Sequence, residues 1–131
     1  MLIIDAANVV GSRPNGWWRD RGKAAADLCR EIGDAIAAGR LTPPVVVLLE
    51  GKARSGVAEG ERGDVRVVHA EGSGDDAIAA LAADGVATGE SVAVVTADRE
   101  LRDRCGSAGA DVVGPRWLFE AMSGRDSDRR S

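Results

Sequence analysis

Five short apolar runs alternate along this 131-residue chain with stretches of helical periodicity, and that alternation limits the fold more than any other feature. Leu2-Ile3-Ile4, Val45 to Leu49, Val65 to Val68, Val92 to Val95 and Val112-Val113 read as short strands buried on both faces. Between them, Ala25, Leu28, Ile32 and Ile36 recur at spacings of three and four. That stripe predicts one helix of about five turns from near Trp17 to Ala38, closed by Gly39. Shorter helices are predicted over Asp75 to Ala83, Asp98 to about Cys105, and Pro115 to Met122, the last with proline at its first position. Strands alternating with helices mean an α/β fold. The expectation is a three-layer α/β/α sandwich with a central parallel sheet of about five strands. Residues 1–122 are expected to form one domain. The segment 51–63, rich in Gly, Lys, Arg and Glu, reads as a loop, and 123–131 as a disordered tail.

Composition removes several functional classes. Only 3% of residues are aromatic, with no tyrosine, so an extended platform of stacked aromatics for single-stranded bases is not expected. A formal net charge of −4 argues against holding nucleic acid by bulk charge. The longest uninterrupted apolar run, Val45 to Leu49, is far short of a membrane span. Cys29 and Cys105 stand alone, with no CxxC and a single histidine, which fits neither a disulfide framework nor a zinc site. The start, Met1-Leu-Ile-Ile-Asp, carries no basic segment or cleavage site, so a cytoplasmic protein without a disulfide or membrane partner is expected.

The strand ends carry the chemistry. In open parallel sheets, ligands bind beyond the carboxyl ends of the strands, where the strand order reverses. Here the first strand ends in Asp5, with Asn8 three residues on, and the second ends in Glu50. The third leads into Glu71-Gly-Ser-Gly-Asp75-Asp76, and the fourth ends Val95-Thr96-Ala97-Asp98. Like charges gathered on one edge need a compensating cation, and oxygen-only ligands select Mg²⁺ or Mn²⁺ over Zn²⁺. Each acid also has a purely architectural role open to it. Asp98 suits a helix cap, Ser73-x-x-Asp76 has the form of a capping box, and Glu50 suits a solvated turn. Asp5, directly after three apolar residues, is the hardest to dismiss, because burying an unpaired acid is costly. Without Asp5, Glu50, Asp75, Asp76 and Asp98 the net charge would turn slightly positive, so the negative sign belongs largely to one proposed pocket.

Other sites are disfavoured. No GxGxxG follows the first strand and no GxxxxGK[ST] occurs, which removes a dinucleotide site and a P-loop. A phosphoaspartyl phosphatase expects an acid where Ala7 stands, and a Ser-His-Asp site lacks its nucleophile elbow. His69 reads as a packed or surface residue.

Ile3-Ile-Asp-Ala-Ala-Asn8, Gly72-Ser-Gly-Asp-Asp-Ala-Ile78 and Val94-Val-Thr-Ala-Asp-Arg-Glu-Leu101 together resemble, in order, the three acidic motifs of the NYN branch of the PIN-like nucleases. The small YacP-like bacterial members look most similar. The resemblance spans Leu2 to about Met122. It implies a sheet order of 3-2-1-4-5, which sets Asp5 beside Asp98, and a metal-dependent ribonuclease. On it, Asp5, Asp76 and Asp98 would be metal ligands, while Asn8 and Asp75 would orient water or the scissile phosphate; all five would be catalytic. Two departures stand out. Leu49-Glu50-Gly51 replaces a Phe-Asp-Gly, leaving Glu50 as a possible extra acid, and Arg102 replaces a further acid, which favours one metal over two.

The expected reaction is hydrolysis of an RNA phosphodiester with Mg²⁺ or Mn²⁺. Arg13, Trp17, Arg19, Arg21, Lys23 and Arg99 are the candidate substrate contacts, with Lys52 and Arg54 as further cations. A solvated loop and helix start is the plainer role for the stretch 13–23. The partners are RNA, with or without the ribosome; a homodimer stays open. Two alternatives remain: an RNA- or ribosome-binding module without catalysis, and a nucleotide phosphohydrolase.

Overall fold

The computed structural model of the chain describes residues 1–124. In chain order the elements are β1 (Leu2–Asp5), α1 (Ala6–Gly11), α2 (Arg21–Ala37), β2 (Val45–Leu49), β3 (Gly60–Arg62), β4 (Val65–His69), α3 (Gly74–Ala87), β5 (Ala93–Val95), α4 (Arg99–Ser107), β6 (Asp111–Val113) and α5 (Pro115–Ser123). Single 3₁₀ turns lie at Trp17–Arg19 and Gly51–Gly56. The sheet order is β3-β4-β2-β1-β5-β6, and every pairing is parallel except that of β3 with β4. The five parallel strands, numbered among themselves, therefore run 3-2-1-4-5, as expected.

The sheet buries both faces by alternation. Ile4, Val47, Leu49 and Val95 pack with Val9 of α1, Leu28 and Ile32 of α2 and Leu118 of α5. Ile3, Val46, Leu48 and Val94 pack on the other side with Ile78 of α3 and Leu101 and Cys105 of α4. Because successive strand residues point to opposite faces, one run of valines and leucines feeds both cores. That makes three layers.

Four details differ from the sequence expectation. The helix expected from Trp17 is broken: the 3₁₀ turn ends at Asp20, whose extended backbone (φ −150°, ψ 87°) starts α2 and whose carboxylate caps it from Lys23 N–H. The expected loop at 51–63 contains a 3₁₀ turn and the edge strand β3. The six-residue helix α1, directly after β1, was not expected. Finally, α5 runs through Ser123 and is closed by Gly124 at φ 78°, so the expected tail loses its first two residues; 125–131 lie outside the described residues.

The Gly51–Gly56 turn rests directly on the start of α2. A Cβ at Gly56 would overlap the Gly22 carbonyl, so two main chains meet there without side chains between them. Among the described residues, no helix is long and apolar enough to cross a membrane.

Candidate functional site at the carboxyl edge

The strand order reverses between β1 and β5, and Asp5 and Thr96 stand at the carboxyl ends of these neighbours. Asp5 is buried (7% exposed) and caps α1 by accepting from Asn8 N–H at 3.3 Å. Its second oxygen accepts from the Thr96 hydroxyl at 2.8 Å. Thr96, fully buried, in turn accepts from Asp98 N–H at 3.1 Å. The Asn8 side-chain carbonyl accepts from Ala97 N–H at 2.8 Å, tying α1 across to the segment after β5. Asp98 caps α4 through Leu101 N–H at 2.9 Å. One hydroxyl and one amide thus lock the ends of two adjacent strands, and two acids are held there.

Glu50 and Asp75 complete the acidic group. Glu50 accepts from Gly74 N–H at 2.8 Å, and a Cβ at Gly74 would stand 2.7 Å from that carboxylate oxygen, so glycine is required for the approach. Burial pushes the Asp5 carboxyl up from the ordinary aspartate value, against its two hydrogen bonds, and Asp75 and Glu50 add to the rise. Asp75 is likewise raised, first by burial and then by the charges of Asp98 and Glu50. Asp5 thus feels Asp75 and Glu50, and Asp75 feels Asp98 and Glu50.

Asp76 is placed differently. Its carboxylate pairs with Arg104 at 3.0 Å and is 73% exposed, while its N–H is capped by Ser73. Of the two adjacent acids, it is Asp75 that is coupled to the strand-end group. Arg102, where the resemblance expects an acid, donates to the Thr96 carbonyl at 2.9 Å and supports the same strand end. Thr96 and Arg102 are the positioning residues that sequence reading passed over. Their signal was weak, since it depends on knowing that β1 and β5 are neighbours.

The donor set suits a hard cation: it is all carboxylate oxygen, and neighbouring acids add to the rise at Asp5 and at Asp75, at the latter against the charge of Arg104. Glu50 Oε1, Asp98 Oδ2 and both Asp75 oxygens accept no hydrogen bond among the described residues. As placed, no three His, Cys, Asp or Glu side chains among those residues converge closely enough to hold a metal ion.

The candidate substrate cations scatter. Arg13 is clamped by Glu31 through two hydrogen bonds, at 2.9 and 2.6 Å, and lies over Phe119 at 4.4 Å. Lys23 pairs with Asp27, and Arg19 lies over Trp18. Arg54 donates to the carbonyls of Gly51 and Ala70. Arg21 lies over Trp17 at 5.5 Å, and both line a cavity that reaches Glu50. Arg99 opens α4 beside Asp98. The His69 ring bonds the Val57 carbonyl at 2.7 Å, which pins the turn before β3. Cys29 and Cys105 are free thiols; burial raises both, Cys29 to about 11, so neither is a ready nucleophile.

Comparison of the sequence with protein-family models and with curated proteins finds no match. Comparison of the structure does. Two crystal structures of Rae1 (YacP) from Bacillus subtilis, one of them a Trp-to-Leu mutant, each give a TM-score of 0.70. The identities are 19% for the mutant and 18% for the other, over 98% and 99% of this chain and 79% and 78% of theirs. At that identity the likeness establishes the architecture, and this chain is similar to Rae1 (YacP) in fold.

Proposed function

We propose that this protein is a ribonuclease that hydrolyses RNA phosphodiester bonds with Mg²⁺ or Mn²⁺ held at the carboxyl edge of its sheet. The observation that carries the reading is that Asp5 and the main chain of Asp98 are tied together through the Thr96 hydroxyl where the strand order reverses, with Glu50 and Asp75 close enough to raise Asp5. The YacP-like motifs of the sequence and the fold shared with Rae1 (YacP) support it. Asp5, Asp75 and Asp98 would hold the ion, with Glu50 as the longer arm. Asp75 is proposed here in the place first expected for Asp76, whose exposed carboxylate pairs with Arg104 through one oxygen. When bound, such an ion neutralises phosphate charge and makes water acidic enough to supply the nucleophile.

The chain's own residues set the geometry. Asn8 and Thr96 fix Asp5 and Asp98 relative to each other, so little reorganisation remains when substrate arrives. Arg99 and Arg21 would receive phosphate oxygens on either side of the acids. RNA, free or on the ribosome, is the proposed partner, and the proposed setting is the cytoplasm.

A second reading, an RNA- or ribosome-binding module without catalysis, is favoured by the absence of a ready-gathered cation site among the described residues. Divalent-dependent cleavage of RNA by the wild type and by Asp5→Asn separates the two. The ribonuclease reading expects cleavage that chelation abolishes and that the variant lowers at least ~100-fold. RNA binding without cleavage in either ion would leave the binding module standing.

A further inference from the structure

A cavity of about 420 Å³ opens beside the acids, between Trp17 and Glu50, in the size range of small-ligand sites. Its remaining wall is made of small side chains, Ala6, Val10 and Ala53 among them, which leave an apolar space rather than fill it. Trp17 lines that space from the 3₁₀ turn and is only partly buried, with the Trp18 ring edge-on to it at 6.2 Å between centroids. Arg21 sits over the Trp17 ring at 5.5 Å, near the outer limit of a cation–π contact, and has no carboxylate partner among the described residues. Glu50 closes the other end. One of its oxygens is fixed by Gly74 N–H, and the other accepts no hydrogen bond among the described residues.

We propose that this cavity is a slot for one unpaired nucleobase of the RNA strand, stacked on Trp17, with Arg21 receiving its phosphate and Glu50 Oε1 accepting from its exocyclic amino group. The chemistry is specific in combination. A flat apolar wall alone suits many ligands, and an arginine alone suits any phosphate. A nucleotide presents an aromatic face, an amino donor and an anion within one such length. The base must be unpaired, because a stacked and paired base cannot enter a pocket in the protein body. Glu50 and Ala6, the residue after Asp5, both line the slot, so a base held here sets an adjacent phosphate near the carboxylates. The slot rests on the reading of those acids as an RNA site.

The test uses the full chain carrying Trp18→Phe and Trp117→Phe, which leaves Trp17 as the sole tryptophan. Its fluorescence is titrated in EDTA with hexameric oligoadenylate, with an RNA duplex of equal length, and with ribose 5-phosphate. The single strand is expected to quench saturably, the duplex to bind at least tenfold more weakly, and the sugar phosphate to leave the signal unchanged. Ala53→Leu, which fills the slot, and Trp17→Ala are each expected to weaken binding of a labelled hexamer about tenfold by anisotropy, with the thermal midpoint monitored in parallel. Equal quenching by ribose 5-phosphate and RNA, or affinity indifferent to both substitutions in folded protein, would overturn the slot. Cleavage is scored separately. Selective quenching in a wild type that never cleaves sinks the ribonuclease reading alone, whereas cleavage without selective quenching sinks the slot alone.

Discussion

Two arginines of this protein lie over aromatic rings at the mouths of two cavities, and they differ in what else they touch. Arg13 covers Phe119 in a cleft of about 510 Å³ between α2 and α5, where Glu31 holds it by both oxygens. Arg21 covers Trp17 at the smaller cavity, with no carboxylate partner among the described residues and with Glu50 on the same cavity wall. In the first region the charges cancel and the cleft is finished. In the second, Arg21 and Glu50 line one cavity without pairing to each other. Uncompensated charge kept in place by rigid neighbours marks a region built for something that is not yet there. A paired guanidinium, however inviting in the sequence, marks architecture.

The largest way to break the contrast is Gly56→Ala. Its methyl group would overlap the Gly22 carbonyl, force the turn off α2 and open the Trp17 cavity, costing about 3 kcal/mol in urea denaturation. The Arg13 cleft lies elsewhere and would keep its geometry. A neutral result would show that the turn is not clamped.

Next come the two arginines themselves. Arg13→Ala removes a bidentate pair and a ring contact and is expected to cost about 1–2 kcal/mol, lowering Tm by roughly 3–8 °C, with RNA affinity unchanged. Arg21→Ala is expected to do the reverse. Stability should stay within about 0.5 kcal/mol, while the salt dependence of RNA binding loses about one unit of slope. Identical profiles for the two would dissolve the distinction.

The smallest effect is a change in slope with pH. Asp5 is raised in the folded state, so folding holds its proton more tightly than the unfolded chain does. Its contribution to stability is therefore present below about pH 4, the unfolded value, and is lost as pH rises through the folded value. Asp5→Asn should flatten that decline in thermal midpoints without divalent ion. An unchanged slope would show that the acid is not strained.

The sequence made the layers readable because apolar runs and helical stripes are periodic, and the strand-end acids followed from those runs. Strand order did not come from periodicity; it came with the family resemblance. What stayed hidden has physical reasons. Gly60-Glu61-Arg62 forms an edge strand with no buried residue, so no alternation announces it. The first helix is too short for a stripe to show. Asp20 breaks the long helix by capping it, a signal lost among the charges around it. Asp75 and Asp76 stand side by side in sequence, and nothing in that sequence shows that Asp76 is the one paired with Arg104. Thr96 acquires its role from a strand 91 residues away.

The contact between Gly22 and Gly56 has a consequence for how such a protein can change over generations. The walls of the Trp17 cavity are joined by main chain to main chain, so their spacing does not depend on the side chains that face the space. Trp17, only partly buried, can then be exchanged with little disturbance to the frame, and the lining of the cavity can drift while foldedness is preserved. The two glycines are the positions where that freedom ends.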